Sequence, residues 1–252
     1  MAKVLIGTSG WQYKDWSFDY AQDKQNYFYP PKLPISGWLE YYSQNFKTVE
    51  VNATFYHQMK PETFVKWAKV VPKNFIFSVK ANRFITHVKR LLDCGDPLKR
   101  LLEQVKGLGD KLGPVLFQLP PRWKVDRERL STFLNELRTM NSDLRVAFEF
   151  RDKSWFNDKI FKILKSQNVA VVINDSANFP KTEEIAADFT YIRFHGPSAL
   201  YSSEYSDPEL RIWAGKIKKW LKNKINVYAY FNNDVGGFAV GNAKTLNSML
   251  VS

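Results

Sequence analysis

The sequence predicts a (β/α)8 TIM barrel, a closed parallel sheet wrapped by helices. Three observations lead there. Short β-branched or aromatic runs recur eight times along the 252 residues. Most segments between them are long enough for a crossover helix. Nearly every run ends in a polar or charged residue on the same side of its alternation. Alternating strands and helices imply a parallel sheet, and eight such units in about 250 residues fit a closed barrel. The competing arrangement is an open doubly wound sheet. Its Gly-rich nucleotide fingerprint is missing, because IGTSGWQY after the first run has the wrong spacing and no helix-like start. No linker or low-complexity stretch divides the chain, so residues 1–252 are expected to form one domain.

In order, the expected strands are residues 4–8, 48–52, 75–80, 115–119, 145–150, 169–174, 191–195 and 227–232. Helices are expected over 35–46, 61–70, 126–140, 156–167, 208–221 and 238–250. Asp126 and Asp207 read as N-caps, the second followed by Pro208 at the first helical position. The turn around Gly107 and Gly109 ends a helix and lacks the Gly-Lys-Ser/Thr ending of a phosphate loop.

The fifth strand shows how the alternation is used. In LRVAFEFRDKSW, Val146, Phe148 and Phe150 share one face, and Ala147, Glu149 and Arg151 share the other. With the more apolar face of every strand turned to the helices, the lumen receives Ser9, Glu50, Asn52, Lys80, Gln118, Glu149, Arg151, Asn174, Arg193, His195 and Asn232. The same faces begin with small or apolar residues such as Leu5, Ile76, Leu116 and Ala170. Polarity at one end only points to a ligand site, because this fold builds function at the C-terminal ends of its strands. The plain alternative is an ion-pair network, Glu50 with Lys80 and Glu149 with Arg193, that merely closes the barrel.

Composition narrows the classes. With 44% hydrophobic and 15% aromatic residues the chain can bury a large core, which excludes a disordered protein. A single cysteine, Cys94, excludes an intramolecular disulfide and a Cys-rich zinc site. The N-terminus enters a strand without a signal-peptide apolar region, and no apolar stretch matches a membrane span. The expectation is a cytoplasmic protein with no membrane partner. The net charge of +12 favours anionic partners, or else is a basic solvated surface such as KIKKWLKNK, with Ile217, Trp220 and Leu221 facing inward.

The chain resembles the YecE-like family of TIM-barrel proteins, domain-of-unknown-function family 72. The resemblance rests on IGTSGWQYKDW, FYPPKLP, FKTVEVNATFY, FSVKANRFITH, VLFQLPP, RVAFEFRDKSWF, YIRFHG and YFNNDVGGFAVGNA, and covers essentially the whole sequence. It implies the fold and brings no settled activity. The segment from Ser17 to Asn26 looks longer than the usual link between the first Trp motif and FYP.

Three groups of residues could carry chemistry. Glu50 and Glu149 are candidate acid–base groups, with His195 as partner acid or base. Lys80, Arg151 and Arg193 match the oxygens of a carboxylate or phosphate, with Gln118, Asn52, Asp175, Asn232 and Trp11 completing a substrate pocket. Lys80 also qualifies in type as a Schiff-base lysine, although its sequence neighbours do not favour that over an ion pair. Asn232-Asn233-Asp234-Val235-Gly236-Gly237 opens the last helix, and its glycines could present backbone N–H groups to an oxyanion near Arg193 and His195. The expected function is therefore an enzyme binding a small anionic or phosphorylated ligand, using no cofactor and no metal. Two alternatives stand beside it. One is a metal-dependent phosphodiesterase or sugar-isomerase-like enzyme using Glu50, His57, Gln118, Glu149, Asp175 and His195, which neighbouring cations oppose. The other is a nucleic-acid-binding protein without chemistry, in which Trp11, Tyr13, Trp16, Tyr27, Tyr29, Phe55, Tyr56, Trp123 and Trp155 interleave with Arg83, Lys89, Arg90 and Arg122 at the barrel rim.

Overall fold

A computed structural model describes residues 2–20 and 27–251, so the Ser17–Asn26 segment lies partly outside the described residues. Eight parallel strands follow one another around a nearly closed barrel: β1 (Val4–Thr8), β2 (Thr48–Val51), β3 (Ile76–Lys80), β4 (Leu112–Gln118), β5 (Val146–Glu149), β6 (Val169–Asp175), β7 (Phe189–Phe194) and β8 (Asn226–Phe231). The helices are α1 (Trp38–Asn45), α2 (Ala53–Tyr56), α3 (Pro61–Val70), α4 (Gly95–Val105), α5 (Arg127–Met140), α6 (Asp158–Ser166), α7 (Asp207–Lys222) and α8 (Phe238–Val251).

The alternation sorts two apolar layers. Ile6, Val49, Phe77, Phe117, Val146, Phe148, Ile192 and Phe231 pack outward against the helices. Leu116, Ala147, Ala170, Val172, Phe189, Tyr191, Tyr228 and Tyr230 form a separate cluster inside, with Leu5 and Ile76 at its edge. The bottom of the lumen is therefore a packed plug, as close packing in a small barrel requires.

The backbone ladder runs from β1 through β8 to β2 and leaves one seam, between β1 and β2. A side chain bridges it. The Tyr42 hydroxyl accepts from the Thr8 N–H at 2.9 Å and donates to the Thr48 carbonyl at 3.1 Å. Gly7 makes the approach possible, because a Cβ there would stand 2.2 Å from the Thr48 oxygen.

Several boundaries differ from the expected ones for local reasons. β4 starts three residues early, at Leu112, across a Gly113-Pro114 pair that reads as a breaker. Gly113 is needed there, since its Cβ would meet Ile76 Cγ2 at 2.5 Å. α4 was hidden by its Gly-Asp-Pro start, yet Leu98, Leu101 and Val105 give it a buried face. No helix connects β6 to β7. Asp126 caps α5 as expected, accepting from the Arg129 N–H at 3.0 Å. Asp207 is not the cap of α7: Ser206 is, its N–H and hydroxyl both donating to Glu209, so Asp207 and Pro208 lie inside the first turn.

Candidate functional site

The polar ring sits where β2, β3, β5, β6 and β7 end. Arg193 is at its centre. Its Nε and Nη2 donate to Glu50 at 3.0 and 2.8 Å, and its Nη1 donates to Glu149 Oε2 at 2.7 Å. Arg151 Nη2 pairs with the other oxygen, Glu149 Oε1. Below Glu50, the Tyr191 hydroxyl donates to Oε2 at 2.7 Å, and Ser78 Oγ lies 2.7 Å from that hydroxyl. Glu50, Glu149 and Arg193 are at most 1% exposed, so these are charges taken wholly out of water. Burial alone would raise the Glu149 pKa, but Arg151, Arg193, His195 and Lys80 outweigh it and hold the carboxyl well below the usual range.

Of the two ion pairs imagined from sequence, Glu149 with Arg193 forms. Glu50 pairs with Arg193 as well, and that leaves Lys80 without a carboxylate. Lys80 is 8% exposed and has no ion pair among the described residues. Its Nζ lies 4.1 Å from the centre of the Phe55 ring. Burial first, then the charge of Arg193, lowers its pKa to about 7, against the smaller raising effect of Glu149 and Glu50.

His195 is fully buried between two amides. Its Nε2 lies 3.2 Å from Asn174 Oδ1, and its Nδ1 lies 3.1 Å from Asn232 Nδ2, which suits a neutral ring protonated on Nε2. Burial and then Arg193 push its pKa well below the ordinary imidazole value. Nε2 is 3.8 Å from Glu149 Oε1, too far for a hydrogen bond. Phe179, in the connection between β6 and β7, covers this side. Its ring centre is 3.4 Å from the Arg151 guanidinium carbon, and its edge meets His195.

The ring is not internally complete. Ser9 Oγ, Asn52 Oδ1, Arg151 Nε and Asn174 Nδ2 are buried without a hydrogen-bond partner among the described residues. Asn52 spends only its Nδ2, on the Ser9 carbonyl at 3.1 Å. Gln118 stands beside Glu149 in the strand register. Natively buried polar atoms are nearly always paired, so orphans where four strands end, all at one mouth of a barrel, are a concentration that needs an explanation.

Five expected site residues lie elsewhere or are already committed. Asp175 faces the helix layer, where it accepts from Lys181 Nζ at 2.7 Å and Trp213 Nε1 at 2.9 Å, because it is one residue out of phase with Asn174. Trp11 is buried edge-on against Trp67 in the helix-side core. Gly236 and Gly237 do adopt positive φ, 71° and 78°, but they line a surface cleft of about 330 Å³ with Trp16, Phe28 and Lys244. That cleft includes neither Arg193 nor His195. All three nitrogens of Arg193 donate to Glu50 and Glu149, which commits it to the two carboxylates rather than to the glycine turn.

The rings expected at the rim are mostly interior. Trp16, Tyr29 and Trp155 are fully buried, Tyr29 stacked on Trp38 and Trp155 on Phe150. Tyr27 and Tyr56 remain exposed. Most of the surface that would stack on nucleic-acid bases is therefore absent. As for the metal alternative, His57 is exposed, Asp175 points away, and both oxygens of Glu149 face arginines. Among the described residues no three His, Cys, Asp or Glu side chains converge as a metal would require.

Sequence reading overlooked four contributors and read a fifth, Phe55, only as a rim ring. Tyr191 was legible from parity, two residues before Arg193, but was counted only as a strand former. Phe55, Phe179 and His87 sit in connections where periodicity is silent. The edge of His87 meets Phe55, and burial, Lys80 and Arg83 lower its pKa to about 4. Asp234 was read for the glycines that follow it. Its Oδ1 is buried without a partner, and burial raises the carboxyl to about 8, against the lowering effect of Tyr13 and Arg193.

Comparison with known proteins places this architecture. A profile of the family described as "Protein of unknown function DUF72" matches residues 5–252. UPF0759 protein YunF of Bacillus subtilis is 26% identical over 278 residues, covering 98% of this chain and 94% of that protein. UPF0759 protein YecE of Escherichia coli is 33% identical over 153 residues, 61% of this chain and 50% of that protein. Among solved structures, a DUF72 family protein from Thermotoga maritima superposes with a TM-score of 0.83 at 28% identity, covering 99% of this chain and all of that one (100%). A DUF72 protein from Enterococcus faecalis, at 20% identity and a TM-score of 0.81 over 99% and 96% of the two chains, shares the fold. No described helix is long and apolar enough to cross a membrane. A barrel of eight parallel strands, matched over nearly its whole length by this family's profile, belongs to the DUF72 family.

Proposed function

We propose that the chain is an enzyme that binds a small phosphorylated or otherwise anionic substrate at the C-terminal mouth of the barrel, with Glu149 as the group that moves a proton. The orphan polar atoms at the mouth carry this reading. A ring that only closed the barrel would satisfy its own donors and acceptors, whereas this one keeps a guanidinium N–H, an amide N–H and an amide oxygen unspent.

Charge assigns the sides. Glu50 and Glu149 neutralise Arg193 and Arg151, so Lys80 is the cation left over. The anion therefore belongs to Lys80 and Arg151 rather than to Arg193 and the glycine turn. Arg151 also holds Glu149 Oε1. An incoming anion that draws Arg151 toward itself removes the nearest charge depressing Glu149 and raises its basicity. Binding and base activation are then one event. His195, neutral and fixed by two amides, stands beside Glu149 without a hydrogen bond to it.

Calorimetric titration with inorganic phosphate and simple phosphomonoesters at low salt tests the reading. Wild type should bind, and Arg151→Met should lose at least about ten-fold in affinity, the value of one charge-assisted bond of roughly 1.5–3 kcal/mol. No binding at millimolar ligand, or binding indifferent to Arg151, refutes it.

A further inference from the structure

Lys80 is the last residue of β3 and points into the mouth, opposite Leu116 in the β3–β4 register. Its surroundings suit a nucleophile better than a counter-ion. The carboxylates that could pair with it are held by arginines: both oxygens of Glu50 and one of Glu149 by Arg193, the other by Arg151. Its ammonium end rests on the Phe55 ring, which is braced by His87. The charged or titratable groups facing it are Arg193, Glu149, Glu50 and Arg151, with His87 on the Phe55 side. Desolvation beside other cations is a physical recipe for a lysine that is a free amine at neutral pH. Donors without acceptors, Arg151 Nε and Asn174 Nδ2, share the mouth with Glu149, whose Oε1 is paired with Arg151 Nη2 until an anion draws that arginine away.

We propose that Lys80 is a carbonyl-binding nucleophile, whose Nζ attacks the carbonyl carbon of a small aldehyde, ketone or 2-oxo acid that Arg151 holds through an anionic group. The second half of this rests on the anion-binding reading above; the first half does not. The Nζ lone pair forms the C–N bond while the carbonyl π electrons move to oxygen, which is protonated. The C–O bond then breaks, water leaves, and nitrogen forms the C=N bond. Amine, carbonyl and one proton give an iminium and one water, with no oxidant or reductant. The iminium acidifies the adjacent C–H bonds, and Glu149 Oε1 accepts the proton released there.

The test uses formaldehyde with cyanoborohydride on the wild-type protein at pH 7, with peptide mapping of methylated lysines. With a pKa of about 7, Lys80 is about half free amine at that pH, whereas an ordinary lysine is free to only about one part in 2500. Lys80 should therefore be labelled at least about ten-fold faster than the mean of the other lysines even after allowing for its burial. Its rate should level off above neutrality. Labelling no faster than the surface lysines, or a rate still climbing toward pH 10, overturns the nucleophile. A second arm replaces formaldehyde by glyoxylate and reduces with borohydride. A carboxymethyl adduct on Lys80 that weakens in Arg151→Met supports the anionic carbonyl class. Formaldehyde labelling without a glyoxylate adduct overturns that class. Lys80→Arg, which forms no imine, should give neither adduct; absence of phosphate binding in wild type would sink the anion reading alone.

Discussion

The two ends of the same lumen are built on opposite terms. At the bottom, Leu116, Ala147, Ala170, Val172 and Phe189 fill the barrel with apolar volume. The tyrosines that rise through the middle have partners: Tyr230 meets Thr48 Oγ1 at 2.8 Å, and Tyr191 meets Glu50. At the top, charges are buried, one cation has no counter-ion, and donors and acceptors are left open. The strands and helices are shared, so the difference cannot be a matter of fold. The lower half explains why the barrel is stable, and the upper half gives up stability that a ligand would return. Proteins commonly hold their functional sites in such a state.

The largest effect should follow from removing the central cation. Arg193→Met leaves Glu50 with only Tyr191 for company and strips one arginine from Glu149. Breaking a buried pair in this way costs about 3–5 kcal/mol. Denaturant melts should show that loss, or a failure to fold at all. A change below about 1 kcal/mol would mean that the ring is hydrated rather than dry, and the contrast between the two ends would weaken.

A smaller loss is expected at the seam. Tyr42→Phe removes the hydroxyl that joins Thr8 to Thr48 and orphans a buried N–H and a carbonyl. The expected cost is about 1–3 kcal/mol, with the same denaturant slope, because the packed ring of Tyr42 remains. No loss would show that β1 and β2 need no bridge.

The fold was legible because it rests on parity and spacing, which are local. Val146, Phe148 and Phe150 against Ala147 and Glu149 already separated helix side from lumen. The ring was legible to the same depth: Glu50, Lys80, Glu149, Asn174, Arg193 and His195 all reach the mouth. Which acid meets which base was not, because pairings across a barrel depend on side-chain reach between strands far apart in sequence. Where strands stop, parity stops informing. Trp11 and the Gly236-Gly237 turn were misplaced for that reason, as were the rim aromatics. Asp175 is different, since its own parity, one step from Asn174, already put it outside. Phe179 had no signal at all, because no repeating pattern marks the connection between β6 and β7.

The most direct test of the contrast is Lys80→Met, followed by denaturant unfolding at pH 6 and pH 10. Lys80 has a folded pKa of about 7, against about 10.4 in an unfolded chain. Between those values the unfolded state binds more protons, so this lysine's contribution to wild-type stability rises with pH. Its penalty is complete below about pH 7 and fades toward about pH 10. The variant should therefore be more stable than wild type by roughly 0.5–2 kcal/mol at pH 6, and the advantage should shrink at pH 10. A variant less stable than wild type at pH 6 would show that Lys80 is a structural cation, and the top of the barrel would be a plug like the bottom.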